Sequence, residues 1–310
     1  MKSKWYTFQK YAGPASRYTC PACGRRRCLT LYVDAEGQPF SEVVGRCDHL
    51  SKCGYDYTPE DYFRDNPDKV RSRGLVEVRA APVRMEQPGF IPDKYVDGSF
   101  RPQYDSHFTS FLGRILDPLV VEGLIFEYRL GVTRDRDVIF FQIDSQGRCR
   151  SGKIMKYDPV TGHRVKGADG SGGRVDWVHA RLKKDGRLPE GWALSQCLFG
   201  EHLLQQYPDA TVCLVESEKT AVVCAGVMPK HIWLATGGKA CLGDKLSVLK
   251  GRRAIAFPDM DAYEDWKVKL ARYPFIEVSD RIEKIATDRD RERHADIADL
   301  FIDRLLPERP

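Results

Sequence analysis

The 310-residue chain has little that would place it in a bilayer or mark it for export. Its apolar runs, ILDPLVVEGLIF, TVCLV and VIFF, are too short or too interrupted to span a membrane. MKSKWYTFQKY has no apolar signal segment. The expectation is a cytoplasmic protein with no membrane partner. No GxxxxGK[ST] loop occurs, so any strand unwinding would need a separate helicase. There is no internal repeat, and no low-complexity tract beyond RDRERH (289–294). Charge of one sign is also scarce. Lysine and arginine number 49 against 44 acidic residues, and a net charge of +5 permits a nucleic-acid partner without arguing for one. Ten cysteines raise the question of disulfides, but only the first few have framework-like spacing. Cys213, Cys224 and Cys241 lie in apolar contexts where a reduced thiol acts as a small hydrophobe, and Cys28 and Cys149 read as bystanders. One metal site among reduced thiols is the simplest reading.

That site lies in YTCPACGRRRC and GRCDHLSKCGY, which give Cys20-x2-Cys23 and Cys47-x5-Cys53 on either side of a strand-like insert. Four thiolates suit zinc, and a closed tetrahedral site holds together a segment too small to stabilise itself. Gly24 and Gly54 follow the second cysteine of each pair, where a tight turn brings backbone N–H groups to sulfur. His49 is the alternative to Cys47 as a ligand. The reading is a β zinc ribbon over residues 1–62, then a proline-containing linker over 63–104.

Beyond it, helical patterns at 106–116 and 119–129 lead to two strands, 137–144 and 150–158, joined at Ser145-Gln146-Gly147. Residues 105–205 thus form an α+β segment, with GADGSGGR (167–174) as a flexible connection. From 206 to 310 the pattern alternates. Strands 211–215, 231–236, 253–257 and 275–278 are interleaved with helices 218–227, 240–249 and 262–272, and a last helix follows at 296–306. Alternation with short loops predicts an α/β fold, a parallel sheet flanked by helices.

Acidic residues end two of those strands. Glu216 follows CLV, and Asp259 and Asp261 follow AIAF in PDMD. At the carboxyl edge of a parallel sheet such side chains converge where ligands bind. In an extended segment the i, i+2 pair points one way. Three carboxylates would hold magnesium or manganese and support in-line phosphoryl chemistry. The alternative is capping: Asp261-x-x-Glu264 fits a capping box, and Glu218 would complement a helix dipole. For phosphate contact the candidates are Lys153, Lys156, Arg148, Arg150, Lys219 and Lys239. Lys153 and Lys156 fall on opposite strand faces, so one face presents Lys153 alone. His179 has no visible partner, and Trp177, Trp192 and Trp233 read as core.

The E…DxD arrangement resembles a Toprim domain, the fold shared by bacterial-type primases, type IA and II topoisomerases and some nucleases. ATGGKA (235–240) resembles the turn after the second Toprim strand, and residues 128–164 resemble the basic subdomain that precedes Toprim in primases. CLFGEHLL, VESEKTA and LATGGKA are similar to little-characterised Toprim proteins of bacterial mobile elements. The resemblance implies Glu216 as the essential acid, Asp259 and Asp261 as metal ligands, and single-stranded DNA and nucleotides as partners, with a separate helicase or mobilisation protein. It departs at Ser217, where primases have glycine, and at Thr220, where they often have aspartate; Asp296 and Asp299 only loosely resemble the later acidic pair. The implied function is a primase-like nucleotidyltransferase. The alternatives are a non-catalytic replication or mobilisation accessory and a Toprim nuclease.

Overall fold

The computed structural model describes residues 6–49, 53–66, 88–103, 105–166, 175–238 and 241–306. Most of the proline-containing segment, the GADGSGGR loop and Lys239 lie outside the described residues. The chain divides into two compact units, 1–83 and 84–310. Among the described residues no helix is long and apolar enough to cross a membrane.

The first unit is a three-stranded antiparallel sheet, β1 (Thr7–Phe8), β2 (Leu29–Val33) and β3 (Gly45–Cys47), in the order β1-β2-β3. Helix α1 (Pro59–Asp65) follows, so this unit extends past residue 62. Thr58 and Asp61 close a reciprocal capping box at its start, and Pro59 sits where a missing N–H costs nothing. Tyr6, Tyr32, Phe40, Val44 and Tyr62 form a small aromatic core. A second cluster gathers Cys20, Cys28 and Cys47 against Leu29 and Leu31.

The second unit has two sheets. Short helices α2 (Asp93–Asp97) and α3 (His107–Leu112) and the longer α4 (Pro118–Glu127) precede β4 (Gly131–Val132). Then come β5 (Val138–Ile143), β6 (Cys149–Met155) and β7 (Asp176–Trp177), an antiparallel sheet ordered β4-β5-β6-β7. Helices α5 (Val178–Lys184) and α6 (Leu203–Gln206) lead to the parallel sheet. It comprises β8 (Val212–Val215), β9 (Ile232–Ala235), β10 (Ala254–Ala256) and β11 (Ile276–Val278), ordered β11-β10-β8-β9. Helix α7 (Glu218–Val227) crosses from β8 to β9, and α8 (Tyr263–Leu270) from β10 to β11. Helices α9 (Arg281–Ile285), α10 (Asp288–Glu292) and α11 (Ile297–Leu305) end the described chain.

The predicted helix at 240–249 is instead a 3₁₀ segment, Asp244–Leu249. The antiparallel sheet is buried on both faces, which its alternating side chains make possible. Val138, Phe140 and Met155 join the main core with β8, β9 and Trp233. Ile139, Phe141, Ile143 and Ile154 face a second core with Ile91, Val96, Val178 and Leu182. The Tyr128 hydroxyl, fully inside, donates to the Trp233 carbonyl at 2.9 Å and ties α4 to β9. The parallel and antiparallel layers therefore share one core, and residues 105–205 and 206–310 belong to one unit.

Candidate functional site

Two sites are built by these elements. In the first unit the sulfurs of Cys20, Cys23, Cys47 and Cys53 lie within 4.8 Å of one another. Cys20 and Cys53 are 3.6 Å apart, Cys23 and Cys47 3.9 Å. A tetrahedral ion with zinc–sulfur bonds near 2.3 Å requires edges of about 3.8 Å, so the quartet fits zinc as it stands. Gly24 and Gly54 take positive φ (66° and 72°), which turns the N–H groups of Arg25 and Tyr55 onto Cys23 and Cys53. The Arg25 N–H holds the Cys23 thiol at about 7, below its ordinary value. The quartet contains Cys47; His49 lies outside it, donating its backbone N–H to the Cys47 sulfur at 3.4 Å.

The second site is the carboxyl edge of the parallel sheet. β8 and β10 are neighbours, with Leu214 opposite Ala256, so Glu216 and Asp259 leave adjacent strands at the same end. Both are half-buried and both are engaged in further interactions. The glutamate's backbone is pinned, its carbonyl accepting from the Gly237 N–H at 2.9 Å. The DxD segment departs from the extended geometry the sequence implies. β10 ends at Ala256, the Ala262 N–H returns to the Asp259 carbonyl, and Asp261 adopts φ 62°. That left-handed conformation is held by remote partners: its N–H donates to Glu283 at 3.0 Å, and its carboxylate lies 3.2 Å from His294. Asp261 is therefore turned away from the direction an i, i+2 strand pair would give it. Nor does it cap α8, whose N-cap is Ala262 with no side-chain bond, so the capping box with Glu264 does not form. Among the described residues, the groups of three or more donors within 4.8 Å are both in the ribbon, and Glu216, Asp259 and Asp261 are not such a group.

The two departures from the primase pattern have structural roles. Ser217 caps α7, accepting the Thr220 N–H at 3.1 Å. The Thr220 hydroxyl donates to Asp296 at 2.5 Å, and Lys219 pairs with Asp299 at 3.5 Å. Helix α11 thus brings its first-turn carboxylates to the start of α7. Burial, then the charge of Asp299, pushes the Asp296 carboxyl above its ordinary range.

The basic candidates are mostly committed to internal carboxylates. Lys153 donates from β6 to Glu218 at 2.9 Å and to the Gly237 carbonyl at 3.2 Å. Their side chains are only 12% and 3% exposed, making this a buried ion pair between the two layers. Gly237 has φ 84°, and a Cβ there would stand 3.3 Å from the second oxygen of Glu218, so a side chain would press on the pair. Arg148 and Arg150 both pair with Asp144, at 2.9 and 2.8 Å, and stack over Phe90. Lys156, beyond the end of β6, is exposed.

Two participants, Lys245 and His179, have no sequence signal beyond residue type. Lys245 donates to the Thr236 carbonyl at 2.6 Å, and burial lowers its pKa. Thr236 and Gly237 form the turn after β9, so lysines from two elements hold that turn against Glu216. His179 lies 2.7 Å from the Ser151 hydroxyl and stacks on Trp192, with burial lowering its pKa; its partner is 28 positions away. Trp177 and Trp192 are half-buried, whereas Trp233 is core, as expected.

Fold and sites together define an α/β protein with a zinc-ribbon unit. By sequence, the chain belongs to the family known as domain of unknown function DUF6371, whose model matches residues 106–260. Residues 4–68 match a zinc β-ribbon finger model. No curated protein matches the chain. Among solved structures it is similar to the primase fragment of the bacteriophage T7 primase-helicase protein, at 11% identity and TM-score 0.38, covering 93% of this chain and 99% of that one. It is similar to the Aquifex aeolicus primase (zinc-binding and RNA polymerase domains) at 14% identity and TM-score 0.33, covering 98% and 81%. The DnaG primase catalytic domain bound to single-stranded DNA aligns at 17% identity and TM-score 0.32, covering 61% and 63%.

Proposed function

We propose that the chain is a Toprim-type, primase-like nucleotidyltransferase, dependent on magnesium or manganese, that acts on single-stranded DNA of a plasmid or mobile element. The observation that carries the reading is the meeting of two layers at one edge. Glu216 and Asp259 leave adjacent parallel strands there, and Lys153 of the antiparallel sheet is anchored to the same edge through Glu218 and Gly237. Oxygen donors of this kind suit a hard divalent cation, which would offset the charge of a nucleotide's phosphates. Glu216, Asp259 and Asp261 would hold it, Asp261 by releasing His294. Glu216 would also accept the proton of an attacking 3′-hydroxyl. Lys156 and Lys239 would face the phosphates, while Lys153 fixes the turn after β9. The zinc-loaded ribbon would engage the template. Catalysis would rest on positioning and charge neutralisation.

The test is incubation with labelled nucleoside triphosphates, single-stranded DNA and magnesium or manganese. Primers should appear with the native chain and vanish with Glu216→Gln. Strand binding without product would remove the polymerase reading.

One observation favours a second reading, a non-catalytic accessory: Lys153, Arg148, Arg150 and Lys219 are all paired with carboxylates of the same unit. An accessory would bind DNA equally well after Asp259→Ala and show no magnesium-linked stabilisation. Cleavage of DNA without nucleotides would instead assign a nuclease.

A further inference from the structure

Cys28 stands outside the sulfur quartet but against it. It is 3% exposed, and its sulfur lies 3.9 Å from that of Cys47. Its S–H donates to the Arg25 carbonyl at 3.1 Å, so in this geometry it is a thiol and not a ligand. Cys47 in turn lies 3.9 Å from Cys23, the exposed member of the quartet. The three sulfurs form a chain of contacts from solvent to core, each step about 2 Å longer than a disulfide bond. A tetrahedral zinc uses four of the five sulfurs and leaves Cys28 in reserve.

We propose that Cys28 is a resolving thiol, through which a hydroperoxide converts the ribbon's metal site into a buried Cys28–Cys47 disulfide and expels the ion. The exposed Cys23 sulfur attacks the peroxide: an S–O bond forms, the O–O bond breaks, and the distal oxygen leaves as water. The Cys47 sulfur then displaces the hydroxyl from Cys23. An S–S bond forms, the S–O bond breaks, and the hydroxide leaves as a second water after taking a proton. Finally the Cys28 sulfur attacks Cys47, and Cys23 departs as a thiol carrying the Cys28 proton. The net change is two thiols oxidised by two electrons and one hydrogen peroxide reduced to two waters. Zinc keeps its charge and is lost because Cys47 no longer offers a thiolate.

The experiment uses the full zinc-loaded chain, treated with hydrogen peroxide. Zinc release is read with a chromogenic chelator, and cross-links are mapped by mass spectrometry after alkylation. The expected result is loss of one zinc per chain with Cys28–Cys47 as the major link. Cys28→Val should keep one zinc before oxidation and stop at Cys23–Cys47; Cys28→Ala provides the same comparison if valine disturbs the fold. Absence of any link to Cys28 in the native chain would overturn the proposal. So would absence of zinc from both Cys28 variants before oxidation, or two zinc ions per native chain, since either would make Cys28 a ligand.

Discussion

Lys153→Met should destabilise the larger unit strongly, and Glu218→Gln should relieve part of the damage. Removing the ammonium strands a carboxylate that is 3% exposed and whose Oε1 has no hydrogen-bond partner among the described residues. Breaking one half of a buried pair costs about 3–5 kcal/mol. The expected loss is therefore roughly 3–5 kcal/mol. Glu218→Gln alone should cost less, because Lys153 is more exposed and keeps the Gly237 carbonyl. The double variant should be more stable than Lys153→Met, since no charge is then stranded. Urea denaturation at neutral pH, read as midpoints at constant m-value, measures all four corners of the cycle. A Lys153→Met loss below about 1 kcal/mol at pH 7, or a second substitution that adds to the first, would refute the buried-pair argument.

Cys47→Ser should abolish stoichiometric zinc while His49→Ala keeps one ion per chain, by metal analysis of the purified chain. Gly237→Ala should cost roughly 1–2 kcal/mol in the same urea assay, because φ 84° disfavours a side chain and the new Cβ meets Glu218. The Thr287 hydroxyl and N–H, then Arg293, hold Asp290 at about 2, below the ordinary carboxylate range. That contribution is present above the unfolded value near ~3.9 and is lost as pH falls toward 2, so Asp290→Asn should flatten the acid limb of a stability profile there.

The strands and their order of appearance were legible because each is a short apolar run bounded by turn residues, as in VCLV and IWLA. The cysteine pairs were legible because a ligand knuckle is local. What was hidden depends on partners far along the chain. Asp261 turns away because Glu283 and His294, 22 and 33 residues on, hold its backbone and carboxylate. Lys153 commits its charge to Glu218, 65 residues away, which strand alternation could not show. Cys28 read as a bystander because its sequence spacing gives no hint of a 3.9 Å approach to Cys47. Segment 240–249 has a helical pattern, yet its described part is the 3₁₀ turn Asp244–Leu249.

Because β5 and β6 serve as floor for one core and ceiling for another, the second unit has no clean seam. Cutting the chain after residue 205 would bare Val138, Phe140 and Met155 on one fragment and the Trp233 side of the other, and would sever the hydroxyl clasp from Tyr128. Neither piece should be recoverable as a soluble fragment. The two layers can then be exchanged between proteins only as a block, and a change on one side of β5 and β6 must be answered by a change in the neighbour it covers.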